Sequence, residues 1–312
     1  MATSRYTIYP ASFVYAGPTT LNLRQLIECG VKAGTDKEII VPGGAIDPSA
    51  VILNFADPRI ALRTHDFSAV LGAISISAGL ACTGGYTNRL QARVDSATVV
   101  LTGGVTLTGS RAFTFIKAIT DEQDKPAEME LENVPLWDET YSGGLPVPPV
   151  VPTGSVNMSA HTTPTFNSCY WMGPTVIGST ELPGVVRRRV DPGVNFNVKR
   201  SSGQVYAPHG AIIQRKPMLS LTVLKADYAA TMVHLFNAVM AGGSDHVKFW
   251  YLKGVHGGAR VALTTAAHMY VDVVTGAWNP EEITVTHPDD AHVTINIQAT
   301  GTISTAVDQE AA

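Results

Sequence analysis

The sequence predicts a mainly β protein made of two tandem β-sandwich or barrel domains, each with one packed helix. Three observations point there. Short alternating segments rich in Val, Thr and Ile are separated by Gly, Pro and Asn turn signals. A Pro/Gly-rich segment lies near the middle of the 312 residues. A strand followed by a helix occurs twice, in the same order and context.

The boundary is Ser142-Gly143-Gly144-Leu145-Pro146-Val147-Pro148-Pro149-Val150-Val151-Pro152. Its prolines fix φ and lack an N–H, so the segment cannot lie in a central strand and reads as a semi-rigid tether. The expected organisation is therefore a first domain over 1–141, a linker over 142–153 and a second domain over 154–312.

Landmarks recur across this boundary. Gly17-Pro18-Thr19 is matched by Gly173-Pro174-Thr175, Pro48 by Pro208 and Pro58 by Pro217. After the last pair comes an alternating strand, with Ile60, Leu62 and Thr64 in one copy and Leu219, Leu221 and Val223 in the other. A helix follows each strand. Asp66 is the expected N-cap before Phe67, Val70, Leu71 and Ile74, and Asp227 before Tyr228, Met232, Leu235, Phe236 and Val239. Gly242-Gly243 is the expected stop of the second helix.

Further strands are expected over 89–94, 97–107, 112–119 and 128–132, then 247–252, 259–264, 268–274, 282–286 and 292–298. Segment 19–30 fits either a short helix or a strand and turn. Phe249-Trp250-Tyr251 falls in an expected strand, so at least one face of it should be buried or in contact.

Charged residues make up 15% of the chain, against about 25% in typical soluble domains. Two readings fit: extensive contact with other subunits, or a Thr/Ser/Gly-rich sandwich. The net charge of −4 falls on residues 1–141, and residues 154–312 are neutral. Neither half has the basic excess that drives phosphate binding.

Cys29, Cys82 and Cys169 are odd in number, match no zinc spacing and read as small buried apolar residues. The start, Met1-Ala2-Thr3-Ser4-Arg5, has no signal-peptide core, and no apolar run is long enough to span a membrane. Synthesis in a cytoplasm and no membrane partner are expected.

Signals for chemistry are weak. There is no Gly-rich phosphate loop and no Gly-x-Ser-x-Gly elbow. The nine histidines are scattered, and none has the His-x-x-x-His spacing of a helical zinc site. His65-Asp66 and Asp245-His246 are neighbours on extended chain, so their side chains point apart. No catalytic residue, cofactor or metal site is expected, and the chain does not read as an enzyme.

Two clusters remain. Arg187-Arg188-Arg189 is the basic cluster, read as a contact to an acidic neighbouring subunit or as a solvated turn or edge strand. Glu128, Glu130 and Glu132 share one face of a strand, with Met129 and Leu131 on the other. Like charges repel, so that face should be well solvated. It is either an ordinary exposed strand or a wall that keeps a passing polyanion from sticking.

The segments Ala56-Asp57-Pro58 to Ile74 and Arg215-Lys216-Pro217 to Val239, each a strand entering a helix with strands after it, resemble the tail tube proteins of tailed phages and phage-like particles. The resemblance covers most of the chain and rests on architecture. It implies a virion structural protein that assembles with itself into rings. For a duplicated domain these would be trimers of pseudo-sixfold shape, stacked into a tail tube with other tail proteins.

DNA would pass the channel without specific binding, and Glu128, Glu130 and Glu132 would face the lumen. Loops over 30–45 and 183–204 would reach neighbouring rings and order on assembly. A reading from another class is a β-sandwich module that binds a receptor or carbohydrate.

Overall fold

The computed structural model describes residues 9–16, 21–23, 26–32, 34–40, 50–82, 86–93, 104–109, 111–136, 169–200, 204–224, 226–231, 233, 247–254, 260–273, 279–285, 292–299 and 303–311. The protein is mainly β, as expected. In the first half the elements are β1 (Tyr9–Ala16), β2 (Leu21–Leu23), β3 (Leu26–Lys32), β4 (Thr35–Ile40), β5 (Ala50–Ala56) and β6 (Arg59–Thr64). Then come α1 (Phe67–Ala73), β7 (Leu80–Cys82), β8 (Tyr86–Arg93), β9 (Gly104–Gly109), β10 (Arg111–Glu122) and β11 (Glu128–Leu136).

The second half holds β12 (Tyr170–Ile177), β13 (Thr180–Glu181), β14 (Val185–Asp191), β15 (Val194–Lys199), β16 (His209–Arg215) and β17 (Met218–Leu224). It continues with β18 (Val247–Lys253), β19 (His268–Val273), β20 (Asn279–Val285), β21 (His292–Gln298) and β22 (Ile303–Gln309). Residues 228–231 form a helical turn, in which Thr231 N–H donates to the Asp227 carbonyl at 3.0 Å. Val70 N–H donates to the Asp66 carbonyl in the same way at 3.1 Å.

The central feature is a nine-stranded antiparallel sheet that crosses the expected domain boundary. Its order is β20-β21-β17-β14-β10-β11-β6-β3, with β7 paired to one end of β10. The order is two four-strand sets laid head to tail, β20-β21-β17-β14 and then β10-β11-β6-β3. The join is β14 on β10, with Ile119 opposite Val190 and Asp121 opposite Arg188. Linker residues 142–153 lie outside the described residues.

Strands β3 and β6 match β14 and β17 residue by residue at a spacing of 159, and β11 and β10 match β21 and β20 in register at larger spacings. Cys29 faces Leu62 as Arg188 faces Leu221, and the bulge between Leu26 and Glu28 recurs between Val185 and Arg187. The hairpin β4–β5 matches β15–β16, including a bulge at Asp36/Lys37 and at Asn195/Phe196. Gly34 and Gly193 turn into these hairpins at φ +55° and +63°. Their carbonyls accept from Asp57 N–H and Lys216 N–H, both at 3.0 Å. The bulges and turns thus coincide at matched places, each disrupting its ladder at the same step.

The matched Pro58/Pro217 strands are therefore equivalent. The match of Gly17-Pro18-Thr19 to Gly173-Pro174-Thr175 is not. Val14 sits between Asn22 and Arg89, and Val176 between Glu181 and Lys248, so these two valines correspond. Gly173 to Thr175 precede Val176 within β12, whereas Gly17 to Thr19 follow Val14.

Two smaller sheets complete the repeats, β2-β1-β8-β9 in the first and β13-β12-β18-β19-β22 in the second. The inner face of the large sheet carries Ile60, Leu62, Ile116, Ile119, Met129, Leu131, Val190, Leu219, Leu221, Ile295 and Ile297. These belong to one core with Phe249, Tyr251 and Val271 of the five-stranded sheet. Alternation drives this burial, as in β17, where every second residue is buried. The Phe67 ring of α1 lies 5.7 Å from Tyr170 and 5.4 Å from Tyr251, so the first helix packs on strands of the second half.

Asp66 takes the N-cap position of α1 without a side-chain capping bond. The described residues of segment 19–30, Leu21–Leu23 and those from Leu26 on, are strand, and Phe249 and Tyr251 are buried as expected. Of segment 259–264, the described residues 260–264 are bridge, coil and turn, not strand. The long loops expected over 30–45 and 183–204 hold β3, β4, β14 and β15 instead, because the repeat spends those residues on hairpins. Met232, Leu235, Phe236, Val239 and Gly242-Gly243 lie outside the described residues.

Candidate assembly interface

The β10–β14 join is the most elaborately bonded place among the described residues. Arg188 is 1% exposed. Its Nε donates to both carboxylate oxygens of Asp121, at 3.1 and 3.0 Å, and its Nη2 donates to Asp121 as well. Nη1 reaches the Gly173 and Pro174 carbonyls and Thr175 Oγ1 at 3.1, 3.2 and 3.0 Å, and Nη2 the Trp250 carbonyl at 2.8 Å.

The guanidinium carbon also lies 5.5 Å from the Phe249 ring centre and 5.1 Å from that of Tyr251. One side chain thus ties β10, β12, β14 and β18 together. Burial pushes the Asp121 carboxyl up, and Arg188 pulls it back down. Burial also pushes the Tyr251 hydroxyl far up, and that hydroxyl has no hydrogen-bond partner among the described residues.

This corrects the reading of the arginine cluster. Arg187, Arg188 and Arg189 stand on an interior strand, neither a turn nor an edge. Alternation sends Arg188 inward with Val190, while Arg187 is exposed and Arg189 half-buried. Sequence reasoning missed the partner Asp121, which is 67 residues away. The alternation of Arg188 with Val190 was the available signal.

Glu128, Glu130 and Glu132 do share the outer face of β11, but not as a bare acidic wall. Glu128 lies 3.4 Å from Arg63, Glu130 3.6 Å from Arg189, and Glu132 2.5 Å from Arg59 and 3.8 Å from Lys117. Arg63 also lies 3.4 Å from Glu28, and Arg59 3.2 Å from Asp57. Glu132 is only 14% exposed. The like charges are separated by cations on β6, β10 and β14, which is why the row tolerates half-burial. In the second repeat the corresponding positions of β21 are His292, Thr294 and Asn296, so the carboxylate row has no counterpart there.

A second seal lies on the outer face of the join. Hairpin β15–β16 folds over the ends of β10 and β11 and forms a small core of Phe113, Phe115, Val134, Leu136, Phe196 and Ala207. Phe196 stacks on Phe113 at 4.3 Å and 6°. Gly210 makes room, since a Cβ there would meet the Phe196 ring at 2.3 Å.

At the two ends of the large sheet, β3 and β20 each pair on one side only among the described residues. Their backbone groups face outward as a template for another strand. β20 corresponds to β10, since Ile283 faces Ile295 as Ile116 faces Leu131. β3 corresponds to β14. The two free edges are thus the counterparts of the two strands that already pair inside the chain.

His65 and His268 are held by backbone, whereas His209 Nδ1 lies 3.3 Å from Arg111 Nη1. His65 Nδ1 lies 2.9 Å from the Ala127 carbonyl, and His268 bridges Lys253 N–H at 3.0 Å and the Ala262 carbonyl at 2.9 Å. Asp245-His246 lies outside the described residues. Among the described residues no group of three or more His, Cys, Asp or Glu side chains is placed to hold a metal, and no helix is long and apolar enough to cross a membrane. No protein family and no curated protein matches the chain.

Proposed function

We propose that the protein is a structural, non-enzymatic component of a phage-type tail. Copies join edge to edge into a closed ring, and rings stack into a tube that DNA traverses without specific binding. The observation that carries this reading is the head-to-tail join of the two repeats, which leaves β3 and β20 as a complementary pair of open ends. A heterologous contact of this kind generates a ring when its rotation closes. Closure also removes both exposed strand edges. The outer face of the large sheet, which carries Ser220 and Thr222 of β17 and His292, Thr294, Asn296 and Gln298 of β21, would line the channel.

The resemblance to tail tube proteins supports three copies per ring, giving six repeats. The test is the mass of the purified protein in solution together with negative-stain microscopy. Trimers, rings with a central hole or tubes are expected. A persistent monomer at high concentration overturns the reading and favours a receptor- or carbohydrate-binding module.

A further inference from the structure

If copies join as the repeats join, β20 of one copy pairs with β3 of the next, and hairpin β4–β5 of that next copy folds over β20 and β21. The register then gives the positions at the joint between copies that match those of the internal join, with Cys29 in the place of Arg188. The 159 spacing puts Lys37 at the position of Phe196. Glu282 faces Asn296 as Phe115 faces Glu132, so Glu282 stands for Phe115. Asn279 faces Gln298 as Phe113 faces Val134. The three-ring cluster is thus replaced by a cation at the position of Phe196, an anion at that of Phe115 and an amide at that of Phe113.

Gly210 changes with them. Its counterpart is Val51, a residue with a Cβ, at the place where room for the Phe196 ring is no longer needed.

We propose that the joint between copies is sealed by an ion pair between Lys37 of one copy and Glu282 of the next, in place of the contact between Phe196 and Phe115 in the aromatic cluster that seals the joint within the chain. This rests on the ring reading above. The physical reason for the exchange is exposure before assembly. The internal cluster is covered as soon as the chain folds, so aromatic rings carry no aggregation hazard there. The joint between copies faces water in every unassembled molecule, where a three-ring apolar patch would bind indiscriminately. Opposite charges keep that surface soluble, steer the encounter and disfavour wrong registers. They also make assembly sensitive to salt, because a pair formed at a rim is screened.

The experiment measures self-association of the full chain by sedimentation, with ring formation checked by microscopy, at low and high sodium chloride. Lys37→Glu and Glu282→Lys should each raise the dissociation constant about tenfold or more, and the double exchange should restore it to within about threefold of the parent. Raising salt should weaken the parent and leave Lys37→Gln and Glu282→Gln less affected. An unchanged unfolding midpoint for each variant separates assembly from folding.

Rings that ignore both charge reversals and salt overturn the ion pair and leave the ring reading standing. Failure of the double exchange to restore association overturns the pairing of these two residues. A parent chain that forms no ring at any concentration overturns the ring reading and this inference together.

Discussion

Arg188 and Asp121 face each other across the strands that join the two repeats, and neither side chain has any exposed surface. A buried pair of this kind is weak evidence for net stability, because removing two charges from water is expensive. Breaking it is another matter. In Arg188→Met the Asp121 carboxylate loses its counter-ion, and the Gly173, Pro174 and Trp250 carbonyls lose their donors. The expected loss is about 3–5 kcal/mol in urea unfolding. Arg188→Met with Asp121→Leu should lose clearly less than the sum of the single changes. Additive losses would show that the pair acts independently of each other's charge.

The two hairpin glycines make a second, paired prediction. A Cβ at Gly34 would lie 2.0 Å from the Asp57 carbonyl oxygen, and at Gly193 1.8 Å from that of Lys216. Both also hold positive φ, which L side chains adopt at a cost. Gly34→Ala and Gly193→Ala should each destabilise by about 1–3 kcal/mol by chemical denaturation. A tolerated alanine at one site and not the other would break the equivalence of the two repeats at that turn.

These glycines also show what the sequence made legible. The strand beginning after Pro58 and its partner after Pro217 were readable because apolar alternation and a fixed-φ residue coincide in both copies. The β class and the positions of β10, β11, β18, β19 and β21 followed from the same alternation. Hairpins β4–β5 and β15–β16 were not readable, since their bulges shift the period by one residue part-way along each strand.

The shared sheet was hidden for a different reason. Asp121 and Arg188 are paired across the whole linker, and no local pattern reports a long-range partner. The glutamate row was correctly placed on one face, but its neutralisation depends on Arg59, Arg63 and Arg189, which arrive from two other strands.

Phe196 tests how firmly hairpin β15–β16 is held. Its ring contributes stacking on Phe113 at 4.3 Å and a tilted contact with Phe115 at 6.3 Å. Phe196→Ala removes the centre of that small core and should cost about 3–5 kcal/mol if the hairpin unfolds with the whole protein. Hydrogen exchange locates the effect. Faster exchange confined to residues 194–199 and 209–215 is expected, with β17 and β21 unchanged. Uniform loss of protection would mean that the hairpin is integral to the main core.

Cys29 offers a probe of the free edge. Burial pushes its thiol up to about 11, with Glu28 adding to the shift. At pH 8 only about one thiol in a thousand is then ionised, and the thiolate is the reacting form. Alkylation of Cys29 should be slow at pH 8 and should rise about tenfold per pH unit until it levels near the shifted value. The sign for stability follows from the same shift. Between the ordinary thiol value and about 11, the folded chain holds a proton that the unfolded chain has released, so this group's contribution to stability falls as pH rises through that window. Reaction at the rate of a free thiol at pH 8, measured by mass spectrometry on the folded chain, would refute the shift. Cys29 also lies on β3, so under the ring reading its alkylation should slow further as protein concentration drives assembly, whereas a monomeric chain would react at a rate independent of concentration.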